Sequence, residues 1–253
     1  MPPPLSAPSL PAGSFVTHNA GIWSPSPVLV DLLLTARHGY AWPLHDSNAC
    51  SQQRIINLES QVAAWLNPLT PTTAHLIVLN VSAWAGNQAN IHQLIAQATA
   101  HERLLMQNAL QLCSSPNSLT AGLHALCQLP GVSLVIASKI YRFCQPVKGA
   151  AVDRHASYFT NSLSPPGVQT EFLRRWSTAN HDRSRLETFN APDLNHNLNH
   201  YIDAYLPLLD GIAAAMNATG HYFQCAASGH YQQWTPADVE MAAFYWWACN
   251  GAQ

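Results

Sequence analysis

Asp153 is the residue whose type and setting point most directly to chemistry. It follows the apolar residues Ala150, Ala151 and Val152 and opens a short helical pattern over residues 153–163. An aspartate there can act as an N-cap, which accepts hydrogen bonds from the first backbone amides of the helix. If the carboxylate also faces a cleft, it can stabilise a developing positive charge or deprotonate a water molecule. The two roles are compatible, and the sequence leaves both open.

Two helical patterns that flank a sharp turn precede Asp153. Residues 119–126 have the apolar spacing of a helix, and Pro130 and Gly131 then end it. A second helical run covers residues 132–143, with Ser133 at its expected N-cap. The turn amides and the positive end of the second helix would face outward together. Such an arrangement predicts an anion site suited to a DNA phosphate.

Residues 126–159 carry three features in a fixed order. They are Leu129-Pro130-Gly131-Val132, Ala137 and Val152-Asp153-Arg154-His155. Together these features resemble the helix-hairpin-helix superfamily of DNA glycosylases, which contains endonuclease III and the 8-oxoguanine glycosylases. The resemblance implies an all-α, two-lobed fold with a helix-hairpin-helix DNA-binding motif. It also implies that Asp153 is catalytic.

Two positions depart from the family pattern. Ser133 stands where the family has a second hairpin glycine, and Val135 stands where strand-cleaving members have a nucleophilic lysine. The resemblance therefore implies an enzyme in which water attacks and an abasic site remains. Lys139 lies four residues after Val135, on the same helix face. It could contact a phosphate or take over as the nucleophile.

The basic residues are concentrated in the middle of the chain. Between Lys139 and Arg185 there are eight basic and three acidic residues, a net charge of +5, whereas the rest of the chain carries −7. A basic centre in an acidic protein fits a surface that faces DNA, although a solvated basic face is the alternative. The expected ligands of the DNA backbone are Gly131, Ser133, Lys139, Lys148, Arg154, Arg174 and Arg175.

The last helical pattern, residues 236–250, could form a base pocket. Glu240 and Phe244 are spaced four apart, and Trp247 follows. This loosely resembles the C-terminal helix of 8-oxoguanine glycosylases, in which a polar reader and an aromatic stacker are four apart. A flipped base needs both, and a carboxylate suits an exocyclic amine such as that of cytosine or adenine. The alternative is an aromatic helix that belongs to the core.

His196 and His200 raise a different possibility. They are one helical turn apart with Asp203 nearby, a geometry that could hold a metal ion. The chain contains 13 histidines, so such a pair can arise by chance. We expect neither a metal nor a cofactor. The rivals to a glycosylase are a non-catalytic helix-hairpin-helix DNA-binding protein and a histidine-based metal hydrolase.

The chain of 253 residues is long enough for one large domain. Residues 1–26 predict an extended or disordered arm, and residues 27–253 predict a single bilobal all-α domain. The six cysteines are scattered, which indicates reduced thiols and a cytoplasmic protein. Neither a signal peptide nor a membrane-spanning run is expected, and the protein should act as a monomer.

The remaining helical patterns complete an almost entirely helical chain. Residues 70–84 could also form a strand, because they are rich in β-branched side chains. Thr235 is the expected N-cap of the last helix. The other predicted helices are residues 27–38, 51–66, 90–113, 169–176 and 195–217, and residues 220–234 are expected to be irregular.

The resemblance to the helix-hairpin-helix glycosylases therefore implies a DNA glycosylase that acts on duplex DNA. It would flip out one base and hydrolyse the bond between that base and the sugar. The base could be a damaged one or a modified base of the kind some phages carry. In the second case the enzyme would serve in phage defence.

Overall fold

The computed structural model describes residues 10–86, 89–163 and 191–250. This part of the chain is mostly helical, which confirms the all-α class. The helices are α1 (Pro27–Gly39), α2 (Asn48–Trp65), α3 (Pro71–Trp84), α4 (Ala89–Ala96), α5 (Ala100–Cys113), α6 (Leu119–Cys127), α7 (Leu134–Cys144), α8 (Arg154–Asn161), α9 (Ala191–His200), α10 (Leu206–Ala218) and α11 (Pro236–Asn250).

Two short β-hairpins accompany the helices. Strands β1 (Val16–Asn19) and β2 (Ile22–Pro25) form the first, within the segment expected to be an extended or disordered arm. Ala20 and Gly21 both have positive φ angles, which suits the tight turn of a hairpin. Strands β3 (Phe223–Gln224) and β4 (Tyr231–Gln232) form the second, inside the segment expected to be irregular.

The long helix predicted over residues 90–113 is divided, which corrects that expectation. Thr99 is the last residue of the segment that connects α4 to α5, and it is the N-cap of α5. The Glu102 amide donates to the Thr99 hydroxyl at 3.2 Å, and the Thr99 amide donates back to the Glu102 carboxylate at 2.6 Å. This reciprocal capping box starts a new helix although the apolar spacing continues across the break.

The helix predicted over residues 195–217 is present but not uniform. Between α9 and α10 the backbone forms a π-helical turn, Tyr201–Tyr205. The π turn widens the helix and turns both tyrosine side chains inward, where they are fully buried. Residues 70–84 are helical rather than extended. Thr235 caps α11 as expected, because its hydroxyl accepts from the Asp238 amide at 3.4 Å, while the Asp238 carboxylate accepts from the Thr235 amide and hydroxyl.

The helices pack in two groups. Helices α2 to α7 contact one another, while α11 packs against α1, α8 and α10, and the first hairpin lies on α10. A buried ion pair joins α1 to α11, because Arg37 donates to Asp238 from Nε at 3.0 Å and from Nη2 at 2.9 Å. Arg37 also reaches Gln52 of α2.

Three further expectations concern one remaining helix, the cysteines and membrane-spanning segments. The helix predicted over residues 169–176 lies outside the described residues. All six cysteines are free, in agreement with the expected thiols. Within the described ranges, every helix is too short or too polar to cross a membrane.

Candidate active-site pocket

A small pocket with a cavity volume of about 20 Å³ lies between the two groups of helices. It brings together Lys139, Asp153, Glu240 and Phe244, which the sequence predicted from distant parts of the chain. The sequence missed the other residues that line it, namely Tyr40, Trp42, Trp84 and Ala151.

Asp153 caps α8 with one oxygen and faces the pocket. Its backbone is extended, with φ −144° and ψ −175°, and Oδ1 accepts from the amides of His155 at 2.9 Å and Ala156 at 3.0 Å. This confirms the N-cap role. Oδ2 makes no hydrogen bond with any described residue. One oxygen therefore fixes the carboxylate, and the other is left for a ligand.

The backbone before Asp153 is held from both sides. The Tyr201 hydroxyl donates to the Ala150 carbonyl at 2.5 Å, and the Tyr205 hydroxyl donates to the Ala151 carbonyl at 2.8 Å. Burial raises the pKa of both hydroxyls well above the ordinary value, so they stay protonated donors.

The same segment is tied to α7 as well. The Val152 amide donates to the Ser138 hydroxyl at 3.0 Å. Gly149 allows the close approach, because a Cβ there would lie 2.7 Å from the Cα of Arg142. Fixed hydrogen bonds on both sides leave the Asp153 carboxylate little freedom to move.

Lys139 extends into the pocket from α7. Only 8% of its surface is exposed, and its ammonium lies 5.7 Å from the centre of the Trp42 ring. It makes no hydrogen bond or ion pair with any described residue. A contact to the DNA backbone requires an exposed ammonium, so the structure favours a role for Lys139 inside the pocket over the expected phosphate contact.

Glu240 enters the pocket from α11. It is 6% exposed and makes no hydrogen bond or ion pair with the described residues. Burial, and then the nearby Asp153 carboxylate, raise the pKa of Glu240 to about 8, while Lys139 pulls it down. Burial beside Asp153 therefore favours the protonated form of this carboxyl.

Aromatic side chains form the walls of the pocket. The rings of Trp42 and Phe244 meet edge to face with 5.4 Å between their centres. The Trp42 indole donates to the Trp84 carbonyl at 2.8 Å, which fixes its orientation. Flat apolar walls with a few polar groups suit a planar, partly polar ligand.

The missed aromatic residues belong to no motif. Tyr40 and Trp42 follow the end of α1, and Trp84 is the last residue of α3. They meet only because the loop after α1 lies against the end of α3 in the folded chain, where the Trp42 indole donates to the Trp84 carbonyl. The one signal in the sequence is a pair of large aromatic residues in a short loop.

The other predicted site residues lie away from this pocket. Trp247 does not line it, because its ring stacks on Tyr158 of α8 at 5.6 Å. Lys148 is exposed beside Gly149 in the loop before Asp153. The side chains of Arg154, Arg174 and Arg175 lie outside the described residues.

The hairpin between α6 and α7 has the expected form. Gly131 has a φ of +77°, a value that favours glycine, and Ile91 of α4 packs against it. Ser133 stands at the N-cap of α7, and its side chain makes no capping hydrogen bond. The Ser133 hydroxyl is therefore not used by the helix.

The histidine pair predicted as a possible metal site has too few neighbouring ligands among the described residues to form a metal site of three or more side chains. The rings of His196 and His200 are 4.2 Å apart. In the described part of the chain, no three histidine, cysteine, aspartate or glutamate residues form a group that could hold a metal ion.

No protein-family model, curated protein or solved structure matches the chain. The chemistry of the pocket is therefore the basis for assigning a function.

Proposed function

We propose that the protein is a DNA glycosylase with a two-lobed helix-hairpin-helix fold. It binds duplex DNA, turns one damaged or modified base into the pocket and hydrolyses the N-glycosidic bond. One observation carries the proposal. Asp153 shares a pocket with Glu240 and Phe244, as the resemblance to this superfamily implies.

The pocket offers what a single flipped base requires. Trp42, Trp84 and Phe244 present apolar ring surfaces, and Glu240 supplies hydrogen bonding to the edge of the base. The cavity volume of about 20 Å³ is far below the range of small-molecule sites, roughly 300–1,000 Å³, so entry of a base requires the lining side chains to move apart.

Asp153 supplies the charge that the reaction needs. As the N-glycosidic bond breaks, its electron pair leaves with the base and the anomeric carbon becomes cationic. The Asp153 carboxylate stabilises that cation, and its free oxygen takes a proton from the attacking water. The hydroxyl adds to the carbon, and the departing base takes up a proton from solvent. The product is an abasic site in an intact strand.

Binding to duplex DNA would use the surface around the pocket. The turn at Gly131 and Ser133, together with the exposed Lys148, precedes Asp153 in the chain. Arg154, Arg174 and Arg175 would add to a basic surface that neutralises phosphates. In this proposal the protein acts as a cytoplasmic monomer, in DNA repair or in phage defence.

Incubation with genomic DNAs of different modification status tests the proposal. Bases released by the protein are identified by mass spectrometry. We expect one base to be released, with strand breaks only after treatment with hot alkali. Binding of DNA without release of any base would instead indicate a non-catalytic DNA-binding protein.

A second candidate function, strand cleavage, is favoured by the position of Lys139. Its buried amine lies in the same pocket as Asp153 and forms no ion pair with the described residues. In its neutral form the amine could attack the anomeric carbon, displace the base and form an imine with the opened sugar. Borohydride would trap that imine as a covalent adduct, and Lys139→Ala would abolish the adduct. Absence of an adduct supports attack by water.

A further inference from the structure

Glu240 differs from Asp238, the other buried acid on α11, in its contacts with the described residues. Asp238 is paired with Arg37, whereas the Glu240 carboxyl makes no hydrogen bond or ion pair with the described residues. A buried carboxylate without a partner is much more costly than a buried neutral acid. Its polar atoms are therefore free to serve a ligand in the pocket.

Among the charges around Glu240, Asp153 favours the neutral acid, whereas Lys139, Arg142 and Arg37 favour the carboxylate. The groups that face it or its immediate neighbours are Arg37, Tyr40, Lys139, Arg142, Asp153, His155, Tyr201 and Tyr205. Arg37 is paired with Asp238, and Arg142 with Glu59 at 2.7 Å. The charge of Lys139 then balances one carboxylate, that of Asp153. A neutral Glu240 leaves the pocket without net charge.

We propose that Glu240 reads the bound base as a neutral carboxylic acid, with one hydrogen-bond donor beside one acceptor. The inference rests on the proposed function, because the ligand is taken to be a flipped base. A neutral Glu240 also changes which bases the pocket would select. The sequence suggested a carboxylate that accepts from an exocyclic amine, whereas a neutral acid requires an edge with both a donor and an acceptor.

The substrate class follows from that edge. An amino group beside a ring nitrogen, as in adenine and cytosine, is complementary to a neutral acid. An oxo group beside a ring N–H, as in hypoxanthine or uracil, is complementary as well. A charged carboxylate would instead prefer two adjacent donors or a cationic base. The pocket therefore takes neutral bases with an amidine or lactam edge.

Protonation of Glu240 can be measured without DNA. The chain has five glutamates, so labelling their side-chain carboxyl groups with ¹³C gives few signals, and Glu240→Gln identifies one of them. We expect that signal to titrate near pH 8 in the full-length protein. A signal that titrates near the ordinary value of 4.5 would overturn the inference.

The rate of base release then tests how Glu240 is used. For the DNA that the genomic screen identifies, the wild-type rate should fall about tenfold between pH 7 and pH 9 as Glu240 loses its proton. Glutamine keeps a donor and an acceptor at every pH, so Glu240→Gln should lose this fall. Glu240→Ala should release the base much more slowly at both pH values.

The outcomes separate this inference from the proposed function. If base is released but the fall persists in Glu240→Gln, the glycosylase assignment stands and the neutral-acid reader is wrong. If no DNA yields a base, the proposed function fails, and the titration alone decides whether Glu240 is neutral in the pocket.

Discussion

Asp238 and Glu240 lie two residues apart on α11 and are buried to the same degree, at 7% and 6% exposure. Every polar contact of Asp238 is made within the protein, to Arg37 on one side and to Thr235 on the other. Glu240 has no such contact among the described residues. The Asp238 carboxylate therefore stabilises the fold, whereas the Glu240 carboxyl is available to a ligand.

Replacement of Asp238 should give the largest effect on stability. Asp238→Ala leaves the Arg37 guanidinium buried without its counter-ion, which typically costs about 3–5 kcal/mol. The free energy of unfolding, measured with urea, should fall by about that amount. Glu240→Gln is the matched control on the same helix and should cost far less. Equal losses in the two variants would remove the distinction between these acids.

The pH dependence of stability should distinguish Glu240 from Asp238 in a second way. Its pKa is about 8 in the folded protein against 4.5 for the ordinary side chain. Between these values the folded state holds a proton that the unfolded chain has released. The proton on Glu240 therefore contributes to the free energy of unfolding. This contribution is complete below pH 4.5 and is lost as the pH rises to about 8.

Urea unfolding between pH 5 and pH 9 measures this effect. The wild-type free energy of unfolding should fall by up to about 1.4 kcal/mol per pH unit relative to Glu240→Gln. Since the other titrating groups are shared, the difference between the two proteins isolates Glu240. A constant difference across this range would show that Glu240 is already charged.

The hydrogen bonds that position Asp153 should contribute both to stability and to activity. Tyr205→Phe leaves the buried Ala151 carbonyl without its donor, at a cost of about 1–3 kcal/mol. Base release should slow because the Asp153 backbone is less well fixed. The exposed Tyr222 provides a control, since Tyr222→Phe should change neither quantity. An unchanged rate in Tyr205→Phe would limit the tyrosine to a structural role.

The smallest expected effect concerns the DNA backbone. Binding should weaken with salt, because phosphate contacts release counter-ions. Lys148→Glu should weaken binding to all DNA sequences alike and reduce the salt slope by about one. Arg54→Glu makes the same charge change in a more acidic part of the chain and should have little influence. Binding insensitive to salt would contradict the DNA assignment.

Local signals in the sequence predicted the elements that carry the site. The N-cap at Asp153 and the start of α11 at Thr235 follow from side chains within one helical turn, so both were predictable. The break at Thr99 was also encoded, by the Thr99 and Glu102 capping pair, but the apolar spacing runs through it. The hairpin at residues 16–25 was missed because its strands have only four residues each.

The pocket itself could be predicted only in part. Asp153, Glu240 and Phe244 were found through the resemblance to a family, which carries information about distant contacts. Tyr40 and Trp84 line the same pocket only in the folded chain, which no local pattern reveals. The state of Glu240 also depends on burial and on Asp153, so the sequence suggested a carboxylate where the fold favours a neutral acid.

The rate of base release by Asp153→Asn tests the central claim most directly. This change keeps the shape and one capping oxygen but removes the negative charge that stabilises the cationic sugar. Asp210→Asn, at an exposed position on α10, is the matched control. We predict a loss of about 100-fold or more for Asp153→Asn, with DNA binding retained and Asp210→Asn at the wild-type rate. Release at the wild-type rate by Asp153→Asn would contradict the account.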